Sequence, residues 1–268
     1  MFYINYPNPN VPLLPILISV PHSGTEVPQD ILDRFNPAVH DLDDTDWFVH
    51  DLYGFAADMG ITVLHARFHR WVIDLNRTPD SAPLYTDGRS ITELVPTKTF
   101  AVQPIYQTGQ EPTKEEIQQR LETYYKPYHE QLEKQLSALQ QQFSHVLLFE
   151  AHSIRQLVPS IQPVAFPDMI LGTNDGASAH ASIGANALEV LQAGKYKVQY
   201  NHPFKGGYIT RHFGQPTQKR HAIQLEMTKI NYMEDDERTY SPERAKEMQT
   251  LLKGLFEKIA ETLQSFKA

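Results

Sequence analysis

The sequence predicts an α/β fold built on a mixed, mostly parallel sheet flanked by helices. Three observations predict it. Short apolar runs recur along the chain, helical patterns separate several of them, and polar clusters follow where runs end. The runs are Ile16–Val20, Ile61–His65, Trp71–Leu75, Val146–Phe149, Met169–Gly172, Lys197–Tyr200 and Ile223–Met227. Continuous apolar runs of this length suit strands buried on both faces.

The helices read from period and caps. Thr113 and Glu116 match a capping box. Ile117, Leu121, Tyr124, Tyr128, Leu132, Leu136 and Leu139 then recur at spacings of three and four. Pro127 falls inside this pattern and predicts a kink or break. A second helix starts with Ser241 as N-cap and Pro242 at the first helical position, with Met248, Leu252, Leu255, Ile259 and Leu263 as its apolar stripe. Residues 180–193 predict a third, ended by Gly194. Residues 80–110 carry turn residues and predict a long surface excursion of the kind that borders sites.

Composition narrows the class. The 268 residues are 41% hydrophobic and show no repeat or linker, which predicts one domain over 1–268. There is no cysteine, which excludes disulfides, thiolate metal sites and a cysteine nucleophile. The net charge of −8 comes without a basic stripe, so no nucleic-acid partner is expected. Met1–Asn10 does not read as a signal peptide. The apolar stretch Val11–Val20 holds two prolines and is too short for a bilayer, so the expectation is a cytoplasmic protein with no membrane partner.

Three polar clusters follow apolar runs: Pro21-His22-Ser23-Gly24, Glu150-Ala151-His152-Ser153 and Asn76-Arg77-Thr78-Pro79. In open α/β sheets ligands sit beyond the carboxyl ends of strands. His22 and His152 are therefore candidate metal ligands, and a carboxylate must complete the set. The acidic segment Asp41–Asp46 is its source: Asp44 is placed to cap a helix carrying Trp47, Phe48, Leu52 and Tyr53, with Asp46 in its first turn. The segment does not match a calcium loop, since Asp46 and Leu52 stand at the positions of the Gly and the distal Glu. In Ala222–Met227, Gln224 and Glu226 share one strand face. A Glu inside an apolar run has its pKa raised by desolvation, which suits proton transfer; the alternative is a solvated edge strand. Arg77, Lys205 and Arg211 are candidate anion binders, with Asn76 beside the first. The P-loop spacing, the G-x-S-x-G elbow and HExxH are all missing.

Six blocks in order carry a resemblance: Val20–Gly24, Asp44–Trp47, Val72–Arg77, Ala151–Ser153, Phe204–Arg211 and Gln224–Glu226. Together they resemble the N-formylglutamate amidohydrolase (N-formylglutamate deformylase) family, from about residue 16 to 233. The resemblance implies a phosphorylase/hydrolase-like fold related to zinc carboxypeptidases and aspartoacylase. It implies hydrolysis of N-formyl-L-glutamate, a small anionic N-acyl amino acid, to formate and L-glutamate, a step of histidine degradation. It further implies Zn²⁺, or another divalent transition metal, on His22, His152 and one acidic residue. The related enzymes place that acid three residues after the first His, where this chain has Thr25. Asp46 is therefore preferred, then Asp44, then Glu26. Glu226 matches the general acid/base, while the role of Glu150 stays open. Asn76, Arg77, Lys205 and Arg211 are expected to hold the substrate. The alternatives are a metal-dependent hydrolase of another N-acyl amino acid, and an inactive small-molecule-binding relative.

Overall fold

Nine consecutive residues of the central strand are buried, from Val146 to Ile154. The computed structural model, which describes residues 1–39, 41–84 and 92–266, places this strand in the middle of a seven-stranded sheet. In chain order the strands are β1 (Phe2–Asn5), β2 (Ile16–Val20), β3 (Thr62–Ala66), β4 (Val146–Ile154), β5 (Met169–Gly172), β6 (Val198–Tyr200) and β7 (Arg220–Thr228). Their spatial order is β1-β3-β2-β4-β7-β5-β6. The β1/β3 and β5/β7 pairs are antiparallel, and the other pairs are parallel. The sheet is thus mixed and mostly parallel, as expected.

Among the described residues seven α-helices accompany it: α1 (Gln29–Leu32), α2 (Val49–Leu52), α3 (Lys114–Arg120), α4 (Lys126–Gln140), α5 (Ala181–Gln192), α6 (Tyr208–Phe213) and α7 (Pro242–Ser265). Side-chain alternation divides the sheet between two cores. Leu147, Phe149 and Ala151 of β4 join Ile223, Leu225 and Met227 of β7 under α5 and α7. Val146 and Leu148 of β4 join Ala222 of β7 under α4 and α6. Period two then places Glu150, His152, Gln224 and Glu226 on the second face, where its apolar layer ends. Parallel register sets Glu150 beside Gln224 and His152 beside Glu226. No helix among the described residues is long and apolar enough to cross a membrane.

Several local expectations change. Trp71–Leu75 is buried but is not a strand. Its backbone partners come from turns and side chains: Val72 N donates to His69 O, Asp74 N to Leu94 O, and Arg120 donates to Val72 O. An apolar run reports burial and leaves the partner unspecified. β4 runs five residues beyond Phe149, so Glu150–Ser153 lie on the strand itself. Trp47 and Phe48 precede α2, and Phe48 adopts a left-handed conformation. Asp44 does not cap α2. Its carboxylate accepts from Trp71 Nε1 at 2.9 Å and from the Phe100 amide.

The helix from Thr113 forms, and Glu116 N donates to Thr113 Oγ1. Glu116 turns its carboxylate to Arg34 and Arg120 instead of closing the box. The α-helical run is interrupted just ahead of Pro127, which falls in the first turn of α4. A π-helical turn at Leu121–Tyr125 precedes it, and the wider turn accommodates the missing N–H and the ring. Ser241 and Pro242 start α7 as expected, without a side-chain cap bond. Residues 85–91 of the expected excursion lie outside the described residues. Pro96–Phe100, Val102 and neighbouring residues of the same excursion line the main cavity.

Candidate active site

His22 follows β2, His152 lies on β4, and Asp46 ends the acidic segment. All three are buried, and one donor atom from each lies within 4.8 Å of the others. The imidazole centroids are 4.8 Å apart. Asp46 Oδ2 is 3.1 Å from His152 Nδ1 and 3.8 Å from His22 Nδ1. The Ser153 amide donates to the same oxygen at 3.2 Å.

The outward ring nitrogens are tied to carboxylates. His22 Nε2 lies 2.7 Å from Asp74 Oδ1, and His152 Nε2 lies 2.7 Å from Glu150 Oε1. A carboxylate accepts, so each Nε2 carries the proton and each Nδ1 faces the cluster. Carboxylate–histidine pairs of this kind orient metal-binding imidazoles and raise their basicity. Donors held about 2 Å from one zinc lie roughly 3.3 Å apart in a tetrahedron. The two pairs sharing Asp46 Oδ2, at 3.1 and 3.8 Å, are near that spacing, and all three donors lie within 4.8 Å of one another. The cluster can hold a divalent cation through nitrogen and oxygen donors.

The second layer is itself anchored. Asp74, fully buried, accepts from Arg70 Nη2 at 2.7 Å and from the Asn76 amide at 2.9 Å. Glu150, also fully buried, accepts from the Thr210 amide at 3.0 Å and from its hydroxyl. Asn76 Oδ1 accepts from Ile209 N, and its Nδ2 lies 3.0 Å from His152 Nε2. Gly207 permits that approach, since a Cβ there would meet Asn76 Nδ2 at 2.2 Å. Gln224 Oε1 accepts from the Gly207 amide at 2.7 Å.

Burial and charge pull the two imidazoles apart. Burial and the Arg70 guanidinium lower the His22 pKa to about 4, so this ring is neutral. Burial opposes the His152 imidazolium too, but Glu150 and Asp46 outweigh it and raise the pKa to about 10. Burial would also raise Asp46, yet the two histidines hold it below the usual carboxylate range. Asp74 is held well below that range by Arg70 and His22 against the same burial. Glu226 goes the other way, since desolvation dominates and nearby Asp46 adds to it. A carboxyl raised by burial beside a cationic centre suits a proton carrier.

These groups open on a cavity of about 370 Å³. His22, Asp46, Asn76, Arg77, His152, Gln224 and Glu226 line it, and so do Arg70 and Lys98. Arg77 sits in the wall, with Nε donating to Thr92 O and Oγ1. Lys205 and Arg211 are not among the described lining residues. Lys205 Nζ pairs with Asp175 at 2.7 Å, and Arg211 donates to the carbonyls of Gly206 and Leu84. Of the lesser-preferred acids, Asp44 is held by Trp71 and Phe100, and Glu26 pairs with Arg67 in a half-exposed bridge. Neither joins the cluster.

Sequence reasoning missed Arg70 and gave Asp74 no role. Asp74 stood inside a recognised block, so a pairing with a strand-end histidine was within reach. Arg70 carried no pattern of its own. Its place follows from the turn that brings it over Asp74, four residues on, and against the Phe100 ring at 4.8 Å.

A family model described as N-formylglutamate amidohydrolase matches residues 14–233. The N-formylglutamate deformylase of Pseudomonas putida is 40% identical over 246 residues, 91% of each chain. That of Pseudomonas aeruginosa is 40% identical over 223 residues, 83% of each chain. The crystal structure of an N-formylglutamate amidohydrolase from Ralstonia eutropha JMP134 matches with a TM-score of 0.83 at 28% identity, over 98% of both chains. A structure from Agrobacterium tumefaciens shares the fold, with a TM-score of 0.75 at 14% identity over 98% of this chain and 96% of that one.

Proposed function

Because the chain belongs to the N-formylglutamate amidohydrolase family, we propose that it hydrolyses N-formyl-L-glutamate to formate and L-glutamate with a divalent ion, zinc foremost, on His22, Asp46 and His152. The observation that carries this reading is the register of β4 and β7, which sets Glu226 beside His152 at the edge of a three-donor cluster. Nitrogen and oxygen donors without thiolate suit zinc, and also cobalt, manganese or iron. When bound, such an ion supplies Lewis acidity at the carbonyl and a more acidic water.

The remaining chemistry falls to the chain. Glu226 takes a proton from the attacking water as its oxygen bonds to the formyl carbon. Arg70, with Nη1 4.0 Å from Asp46 Oδ1, adds positive charge where the carbonyl oxygen becomes an oxyanion. Glu226 then gives the proton to the departing amine as the C–N bond breaks, leaving formate and glutamate. Arg77 holds one substrate carboxylate from the wall. The place in histidine degradation and the cytoplasmic location rest on the family resemblance and the absence of cysteine.

Formate release from N-formyl-L-glutamate, measured with metal content on the same preparation, tests the reading. Release by protein carrying about one ion per chain is expected. Metal-loaded protein that releases no formate, or that prefers an N-acetyl or N-succinyl glutamate, overturns it.

A second expectation concerns protons. A ligating nitrogen must be unprotonated. The His152 pKa of about 10 means that metal-free protein at pH 7 must lose its Nδ1 proton to bind the ion. His22 at about 4 loses none. Apparent metal affinity should therefore rise about tenfold per pH unit between about 7 and 9. Calorimetry in buffers of different ionisation enthalpy should record at least one proton released per ion at pH 7. Binding without proton release would contradict the paired state of His152.

A further inference from the structure

N-formylglutamate carries two carboxylates, and Arg77 accounts for one. Two of the cations expected to meet the other, Lys205 and Arg211, are not among the described lining residues, and each has protein partners: Asp175 for Lys205, and the Gly206 and Leu84 carbonyls for Arg211. Among the described lining residues the other cations are Arg70 and Lys98. Arg70 is buried and committed to Asp74, with Asp46 4.0 Å away. Lys98 is exposed at the cavity, and no described carboxylate forms an ion pair with it. Glu93, the exposed acid of the same wall, accepts a hydrogen bond from the Thr97 hydroxyl.

The backbone under Lys98 is pinned to the site. Lys98 bridges Pro104 in a short hairpin, closed by Ile105 N donating to Thr97 O and Thr99 N to Gln103 O. The Phe100 amide donates to both oxygens of Asp44, two residues before Asp46. Ser160 donates its hydroxyl to Phe100 O. The hairpin is therefore tied to the segment that carries a metal-ligand candidate, and Lys98 projects from a fixed base. Arg77 and Lys98 both line the cavity, Arg77 half-buried and Lys98 exposed, so Lys98 lies nearer the solvent side. The α-carboxylate lies near the scissile amide, and the side-chain carboxylate lies further out.

We propose that Lys98 receives the side-chain carboxylate of the substrate and sets the preference for glutamate. The proposal rests on the reading of the site as an N-formylglutamate hydrolase. It is tested with Lys98→Met and Lys98→Arg, in metal-loaded full-length protein. Calorimetry with L-glutamate and L-glutamine comes first, because it needs no turnover. Wild-type protein should bind L-glutamate more tightly, and Lys98→Met should lose about 10–100-fold of that affinity, as for a charge-assisted hydrogen bond, and with it the preference. Lys98→Arg should keep most of both. In turnover, Lys98→Met should raise KM for N-formyl-L-glutamate with kcat within a few-fold, and the selectivity over N-formyl-L-glutamine should collapse. Glutamate affinity unchanged in Lys98→Met, or no glutamate binding by the wild type, overturns the assignment. Failure of the wild type to release formate while Lys98→Met still loses glutamate binding would sink the hydrolase reading and leave the role of Lys98 standing.

Discussion

Glu226→Gln is expected to keep its metal and lose about 10²–10⁴-fold in kcat, the usual contribution of a general acid/base. The substitution preserves shape and removes only the ability to accept and return a proton. The candidate metal cluster consists of His22, Asp46 and His152, so occupancy should not change. Global stability should not fall either. Burial raises the Glu226 pKa above its unfolded value, so folding favours the protonated form. That stabilisation is fully present below the unfolded pKa of roughly 4.3 and is lost as pH rises through the folded pKa. A neutral glutamine escapes this loss, so the variant should match or exceed the parent in neutral buffer. Denaturant midpoints, metal analysis and kcat on the same samples check all three. Near-parental kcat would remove Glu226 from the chemistry.

His152→Ala is expected to abolish stoichiometric metal binding and, with it, formate release. Two donors would remain, and His22 and Asp46 alone do not enclose an ion in the way three donors do. The variant also leaves Glu150 fully buried without its imidazole partner. Breaking a buried pair in this way costs about 3–5 kcal/mol. Loss of metal must therefore be separated from loss of fold. Adding Glu150→Gln to His152→Ala removes the stranded charge, and the double variant should regain stability without regaining metal. Full occupancy in either variant would exclude His152 as a ligand.

The layered fold was legible because strand burial leaves a continuous apolar signature. Ile16–Val20 and Met169–Gly172 were read to the residue, since nothing polar interrupts them. The β4 strand reads short because its last residues belong to the candidate site, and Glu150 and His152 look like loop chemistry. The antiparallel edge strand β1 went unread, as Phe2–Asn5 is only half buried and too short for a pattern. Within the candidate site, His22, Asp46, His152 and Glu226 come together from four separate segments. The cations were harder. Arg77 lies in the wall, but Lys205 and Arg211 are turned to other partners. A sequence shows that a positive charge exists and says little about the direction of a long flexible stem. Lys98 had no motif at all, and its position depends on a hairpin held by Asp44.

The parallel pairing of β4 with β7 holds for nine consecutive residues, from Val146 opposite Arg220 to Ile154 opposite Thr228. A shift of a single residue would invert the outlook of every side chain on the slipped strand. Glu226 would then point into the apolar layer beneath α5 and α7, and Met227 would replace it next to the imidazole. No partially competent enzyme lies between these two arrangements. Any turnover recovered during refolding therefore comes only from molecules whose central strands have zipped in the correct phase.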